Sequence, residues 1–196
     1  MITRKRIYQG VVGILTIVLL ISLVFNYNYH RRVQRENQYV QSMVRQFKFY
    51  VFDAATSLGY HNAQMDYQKA SAQIAAAGSE LNALAQYEQM VNNQTSIVGY
   101  PPNAESIANF LSFLSRSLIN ENAVYNMQDG TKYTITQQEA KTMVLAINSI
   151  FIQNINENYT PQDKLESMFN QVYNNVIPGF AKNQLQTPIL QFWSLN

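Results

Sequence analysis

Histidine and cysteine carry much of the catalysis and metal binding in proteins, and this chain has few of them. It contains two histidines, His30 and His61, and no cysteine. A histidine-rich metal site is therefore excluded, as are thiolate catalysis, thiolate zinc sites and disulfides. A Ser-His-Asp arrangement would have to use one of these two histidines, which we interpret as solvated or helix-capping residues. Because no Gly-rich phosphate loop occurs either, the sequence indicates no cofactor.

Acidic residues are the remaining candidates for acid–base chemistry, and they are scattered along the chain. Glu105-Ser106 resembles the Glu-Ser pair of lytic transglycosylases, but the downstream Gly-Leu-Met-Gln segment of that family is absent from this sequence. We therefore interpret Glu105 as a first-turn helix residue favoured by the helix dipole. The loop around Asp129 lacks the alternating acidic residues of an EF-hand, so we interpret Asp129 as a turn former and predict no calcium site there. The sequence thus predicts a protein that is not an enzyme.

The strongest pattern in the chain is the uncharged apolar run from Gly10 to Phe25. Extended to residues 7–29, it reaches the length of about 20 residues that a bilayer-spanning helix needs. A cleavable signal peptide is the competing interpretation, but no pattern of small residues follows the run. We therefore predict a basic tail over residues 1–6, an uncleaved transmembrane anchor over 7–29 and an extracytoplasmic domain over 30–196.

Basic residues flank the predicted span on both sides. Residues 1–6 carry three, and Arg31, Arg32 and Arg35 follow the span, so the positive-inside rule alone does not fix the orientation. The short basic tail is typical of exported proteins and favours a single-pass protein of the cell membrane with its domain outside the cytoplasm. Arginines beside a bilayer attract anionic headgroups, at about 1 kcal/mol per residue.

The basic segment continues to Arg45 and Lys48. We predict that it faces membrane lipid, which argues against a nucleic-acid partner. The alternative is that these charges only end the span. The candidates for lipid contact are Arg31, Arg32 and Arg35.

The membrane helix is predicted to continue into the domain, because no Gly or Pro occurs between Ile14 and Leu58. Residues at alternating steps of four and three form a heptad stripe in this segment. We favour the buried face of a bundle helix over a self-pairing coiled coil. The stripe comprises Val33, Asn37, Val40, Val44, Phe47, Val51, Ala54 and Leu58.

A matching stripe from Tyr67 to Val91 predicts a second helix that forms a hairpin with the first. Gly59 is expected to take a left-handed cap conformation, and Asn62 to cap the second helix. Gly78-Ser79 predicts a kink or break within it.

Three more helices and a β-hairpin are predicted beyond residue 100. Asn103 is expected to cap the third helix, and Asp129-Gly130 to form a two-residue hairpin turn. Thr136 to Glu139 forms a capping box that opens the fourth helix, and Thr160 is expected to cap the fifth, with Pro161 in its first turn. The predicted fold is therefore mostly all-α: a transmembrane helix continuing into a bundle of about five helices with one small β-hairpin.

The segment after Pro188 is too apolar for a free tail and contains tryptophan, which is enriched at binding hot spots. It is either an interaction surface or a segment that packs on its own helices. The residues in question are Ile189, Leu190, Phe192, Trp193 and Leu195.

These patterns favour a membrane-anchored, non-enzymatic interaction or scaffold protein of a bacterial cell-envelope assembly, with a protein partner or self-association. One alternative is an extracytoplasmic sensing or ligand-binding module that acts through a membrane partner. A cell-wall hydrolase is the second alternative.

Overall fold

The computed structural model describes residues 2–60, 65–92, 100–126, 132–152 and 159–178. The chain divides into two compact units, Met1–Tyr39 and Val40–Asn196. The described residues are mostly helical with one two-stranded antiparallel sheet, which confirms the predicted fold class. The elements are α1 (Ile2–Ser57), α2 (Tyr67–Asn92), α3 (Ala104–Ile119), β1 (Asn122–Asn126), β2 (Lys132–Thr136), α4 (Gln137–Phe151) and α5 (Gln162–Gln171), which is followed by a π-helical turn (Val172–Val176).

The first unit contains the N-terminal part of α1, whose apolar side chains from Val11 to Phe25 are exposed. The large apolar side chains from Val11 to Phe25 are between 47% and 72% exposed. Among the described residues this is the one helix that is long and apolar enough to cross a membrane.

In the second unit, the heptad stripe of α1 is buried. Phe47 lies in an aromatic cluster, with ring centroids 5.1 Å from Phe151 of α4 and 5.6 Å from Phe169 of α5. The stripe is therefore the buried face of a bundle helix, as we favoured, and it is not available for a self-pairing coiled coil. Its members that are at most 1% exposed are Val40, Val44, Phe47, Val51, Ala54 and Leu58.

Helix α2 runs without interruption through Gly78, so the helix does not break there as the Gly78-Ser79 pair suggested. A Cβ atom at Gly78 would lie 3.1 Å from the Ala108 carbonyl oxygen and 3.3 Å from Leu111 Cβ. Glycine therefore allows α3 to approach α2 closely at this point. The Ser71 hydroxyl donates a 2.6 Å hydrogen bond to the Ser115 carbonyl oxygen. Because Ser71 lies beside Ser115 while Gly78 lies beside Ala108, the two helices pack antiparallel.

The caps of α2 and α3 were predicted at Asn62 and Asn103. Asn62 lies outside the described residues, and Asp66 caps α2 by accepting a 2.9 Å hydrogen bond from the Lys69 N–H. Asn103 precedes α3 in the left-handed conformation, with φ 60°, but its side chain makes no cap bond. Its amide donates instead to the Asn170 side chain at 3.2 Å, which connects the start of α3 to α5. Gly59 has φ 91°, as predicted for a left-handed cap.

The predicted β-hairpin is confirmed, with a register shifted by one residue. Asn126 pairs with Lys132, whereas a two-residue turn at Asp129-Gly130 would pair Asn126 with Tyr133. Asp129 and Gly130 themselves lie outside the described residues. Ile135 of β2 is buried in the helical core, which supplies the packing that an isolated hairpin lacks.

The capping box at the start of α4 is confirmed. The Thr136 hydroxyl accepts a hydrogen bond from the Glu139 N–H, while the Thr136 N–H donates to Glu139 Oε2 at 2.8 Å. The Thr136 hydroxyl also donates to the same carboxylate oxygen at 2.8 Å. The backbone bond and then the hydroxyl bond hold the pKa of the Glu139 carboxyl below its usual value.

Candidate functional site

The candidate lipid contacts lie on α1, just after the apolar run. Arg31 is exposed, and its guanidinium carbon lies 5.1 Å above the centre of the Tyr27 ring, a cation–π contact. Arg35, also exposed, lies one turn further along. Residues four apart in a helix are neighbours on one side. Tyr27, Arg31 and Arg35 therefore form one surface, the basic face.

Arg32 differs from the two other arginines because it has an acidic partner. Its Nε donates a 2.8 Å hydrogen bond to Glu36 Oε1. The Glu36 side chain is only 6% exposed, so the arginine compensates a carboxylate that is largely removed from water. The structure thus brings Arg31 and Arg35 together and gives Arg32 a different role. The spacing of Arg32 and Glu36, four residues apart on a helix, was a signal of this pair in the sequence.

Lys48 is buried and is not part of the basic face, contrary to the expectation from its place in the basic segment. It is 2% exposed, in the second unit. Its ammonium donates a 3.0 Å hydrogen bond to the Thr160 hydroxyl. The helical spacing contained a signal for this burial, because Lys48 lies four residues after Val44 and three before Val51, both of which belong to the heptad stripe.

Thr160 does not cap α5, so that prediction is wrong. The carbonyl of Pro161 accepts the first helical hydrogen bond, from the Leu165 N–H at 2.9 Å. The N–H of Thr160 donates to Gln41 Oε1, and its carbonyl accepts from Gln41 Nε2, both at 2.9 Å. One amide side chain thus satisfies both backbone polar groups of Thr160.

Gln41, which is half-buried, forms a polar cluster with the buried Lys48 and Thr160, which we call the Thr160 clamp. Gln41 and Lys48 are seven residues apart, about two helical turns, so they project from the same side of α1. Together they hold the segment that precedes α5 against α1. The clamp has hydrogen-bonding groups from two distant parts of the chain, so its residues were not recognisable as a group in the sequence.

The other sequence candidates are not part of a common site. His30 is exposed on α1, and Glu105 is exposed in the first turn of α3, as its interpretation predicted. Within the part of the chain that the structure describes, no group of three or more His, Cys, Asp or Glu residues is arranged to hold a metal ion. Outside the described residues lie His61 and the predicted interaction surface of Ile189, Leu190, Phe192, Trp193 and Leu195.

Comparison of the chain with protein-family models, with curated proteins and with solved structures finds no match. Its function is therefore inferred from the apolar helix, the basic face and the Thr160 clamp.

Proposed function

We propose that this chain is a single-pass membrane protein whose helical domain lies outside the cytoplasm and acts by contact with another protein of the cell envelope. The observation that carries the proposal is the structure of α1. Its apolar run is exposed from Val11 to Phe25, and the same helix ends at Ser57 with its heptad stripe buried from Val40 onward. Exposed apolar surface costs about 25 cal/mol per Å² in water, so a helix of this kind is stable inside a bilayer.

A role by contact is supported by what the buried polar groups of the second unit do. Lys48 and Thr160 bond to each other. The hydroxyl of Ser117 donates to the Phe113 carbonyl one turn earlier, and that of Ser57 donates to the Asp53 carbonyl. Each of these four groups has a structural partner, whereas Nδ2 of Asn148, which is also buried, has none among the described residues. Hydrogen bonds that hold a bundle together are expected in a domain that positions a contact surface. The surface we propose is the apolar segment 188–196.

Topology is the first test. Protease added to intact spheroplasts should degrade residues 30–196, and carbonate extraction should leave the undigested chain in the membrane. A reporter fused after Asn196 should be active outside the cytoplasm. Activity of that reporter in the cytoplasm alone would contradict the orientation. A mature protein that begins beyond Phe25 would contradict the anchor.

Partner capture is the second test. The full chain and a variant that lacks residues 188–196 are crosslinked in membranes and purified, and the captured proteins are identified by mass spectrometry. Loss of a partner with an unchanged melting temperature would support segment 188–196 as the contact surface. Met90→Ala, at an exposed position on α2, is the control and should keep the partner. A lower melting temperature of the truncated chain would show that this segment packs on its own helices.

A sensing module is the second candidate, and the Thr160 clamp favours it. Gln41 and Lys48 hold the start of α5 to α1, so a displacement of α1 in the second unit would reach α5 through three hydrogen bonds. A sensor of this kind should respond to an envelope solute with a higher melting temperature of the full chain. Thr160→Val should reduce that response without abolishing membrane insertion.

A further inference from the structure

We infer that the basic face of α1, formed by Tyr27, Arg31 and Arg35, binds the phosphate group of an anionic phospholipid and that Arg32 takes no part. The inference rests on the proposed membrane anchoring. It names the lipid chemistry that the helix recognises where it leaves the bilayer.

Position along the helix is the first argument. The exposed apolar run ends at Phe25, and Tyr27 and Tyr29 follow it, as aromatic residues do at the membrane surface. Arg31 lies six residues beyond Phe25, about 9 Å along the helix axis. Helical side chains tilt toward the N-terminus, and long basic ones extend toward the polar headgroups. The contact between the Arg31 guanidinium and the Tyr27 ring shows this direction, because it places the charge one turn back toward the apolar run.

The chemistry of the basic face is the second argument. A guanidinium has five N–H donors around its edge and binds phosphate oxygens in pairs. The guanidinium carbon of Arg31 lies 5.1 Å from the centre of the Tyr27 ring, and a cation–π contact does not use the N–H donors of the guanidinium. Among the described residues, neither Arg31 nor Arg35 forms an ion pair with an acid. Both charges are therefore available to a phosphate.

Arg32 is the internal contrast. Its Nε is bonded to Glu36 at 2.8 Å, and that carboxylate compensates its charge. Recruitment of Arg32 by a lipid phosphate would leave the Glu36 carboxylate, which is nearly buried, without its cation. Two adjacent arginines on one helix thus differ in whether their charge is available, and this difference makes the inference testable.

The experiment uses the full chain, reconstituted in vesicles of phosphatidylcholine with and without phosphatidylglycerol. After mild solubilisation, native mass spectrometry measures the ratio of the two lipids retained on the protein. Wild type should prefer phosphatidylglycerol, by about fivefold for each participating arginine. Arg31→Gln combined with Arg35→Gln should reduce the ratio to that of the surrounding lipid.

The matched control is Arg32→Gln combined with Glu36→Gln, which removes the ion pair without leaving a buried charge. This variant should keep the wild-type preference. An equal loss in the control and in the Arg31/Arg35 variant would overturn the inference, because it would indicate a general effect of charge. Displacement of phosphatidylglycerol by excess inorganic phosphate would also overturn it, since it would indicate a site for a free anion.

Carbonate extraction of the same variants separates this inference from the proposed function. If all variants remain in the membrane and none prefers phosphatidylglycerol, only the lipid site is wrong. If the wild-type chain is itself extracted, the membrane anchor is wrong.

Discussion

Lys48 and Thr160 are 112 positions apart in the chain, and the ammonium of Lys48 donates a 3.0 Å hydrogen bond to the hydroxyl of Thr160. Lys48 is 2% exposed and Thr160 is 1% exposed, so this bond forms away from water. A buried ammonium is costly unless it has acceptors. Gln41 holds the backbone of Thr160 at the same place, with two bonds of 2.9 Å. The hydroxyl of one threonine thus links a buried charge on α1 to the start of α5.

Removal of this hydroxyl should destabilise the protein. Thr160→Val keeps nearly the same shape and deletes an acceptor of Lys48, so we expect the free energy of unfolding to fall by about 1–3 kcal/mol. Unfolding of the full chain in detergent, followed by circular dichroism, measures the change. Thr142→Val is the control, because the hydroxyl of Thr142 is exposed and bonds only to the Gln138 carbonyl in its own helix. Equal stability of Thr160→Val and wild type would show that the clamp contributes nothing measurable.

The aromatic cluster around Phe47 should contribute more. Phe47→Ala removes a ring that contacts Phe151 and Phe169, and large-to-small changes of this type cost about 3–5 kcal/mol. Phe49→Ala is the matched control, two residues along the same helix, where the side chain is 45% exposed. It should change stability by about 0.5 kcal/mol or less. The two variants are compared by thermal unfolding, and similar melting curves would contradict the assignment of Phe47 to the core.

Features with a local cause were predictable from the sequence. The heptad stripe of α1 was recognisable because burial of one helix face requires a period near 3.6 residues. The capping box of Thr136 and Glu139 was recognisable because its donors and acceptors lie within four residues. The left-handed conformation of Gly59 follows from the absence of a side chain.

Features whose cause is distant in the chain were missed or misinterpreted. Thr160 precedes a proline and matches a helix cap locally, but its hydrogen bonds go to Gln41 and Lys48 on α1. Asn103 stands at the cap position of α3, yet its amide bonds to Asn170 of α5. Periodicity gives the face that a helix buries, and it does not say which other element will lie there.

Gly78 illustrates this point and gives a third prediction. In isolation, Gly78→Ala should stabilise α2 by about 1 kcal/mol through helix propensity. In the folded chain its Cβ would lie 3.1 Å from the Ala108 carbonyl oxygen, which is backbone and cannot rotate away. Overpacking of this kind costs about 1–3 kcal/mol, so we expect a net loss of stability.

The control for Gly78→Ala is Ser79→Ala, which improves helix propensity at the adjacent, exposed position. It should leave the protein as stable as wild type or slightly more stable. Chemical unfolding of both variants makes the comparison. A stabilised Gly78→Ala would mean that α3 can move away from α2 at little cost.

The capping box gives the last prediction, which concerns pH. Hydrogen bonds from the Thr136 backbone N–H and then from its hydroxyl lower the pKa of Glu139 below the ordinary value of 4.5. A carboxyl whose pKa is lower in the folded state stabilises the fold most above its unfolded pKa, and the contribution is lost as the pH falls through the folded pKa. Glu139→Gln keeps a hydrogen-bond acceptor but has no charge. Wild type should therefore be more stable than Glu139→Gln at neutral pH, and the difference should shrink as the pH falls below 4.5.

Melting temperatures of both proteins, measured from neutral to strongly acidic pH, test this expectation. Thr136→Ser keeps both the hydroxyl and the backbone N–H, so it should preserve the pH-dependent difference. Thr136→Ala keeps only the backbone bond, so in proteins that carry Thr136→Ala the stability difference caused by Glu139→Gln should be smaller. A difference between wild type and Glu139→Gln that stays constant at all pH values would contradict the prediction. In that case the lower stability of Glu139→Gln would come from a changed cap geometry, because protonation of the wild-type carboxyl would not remove the stability difference.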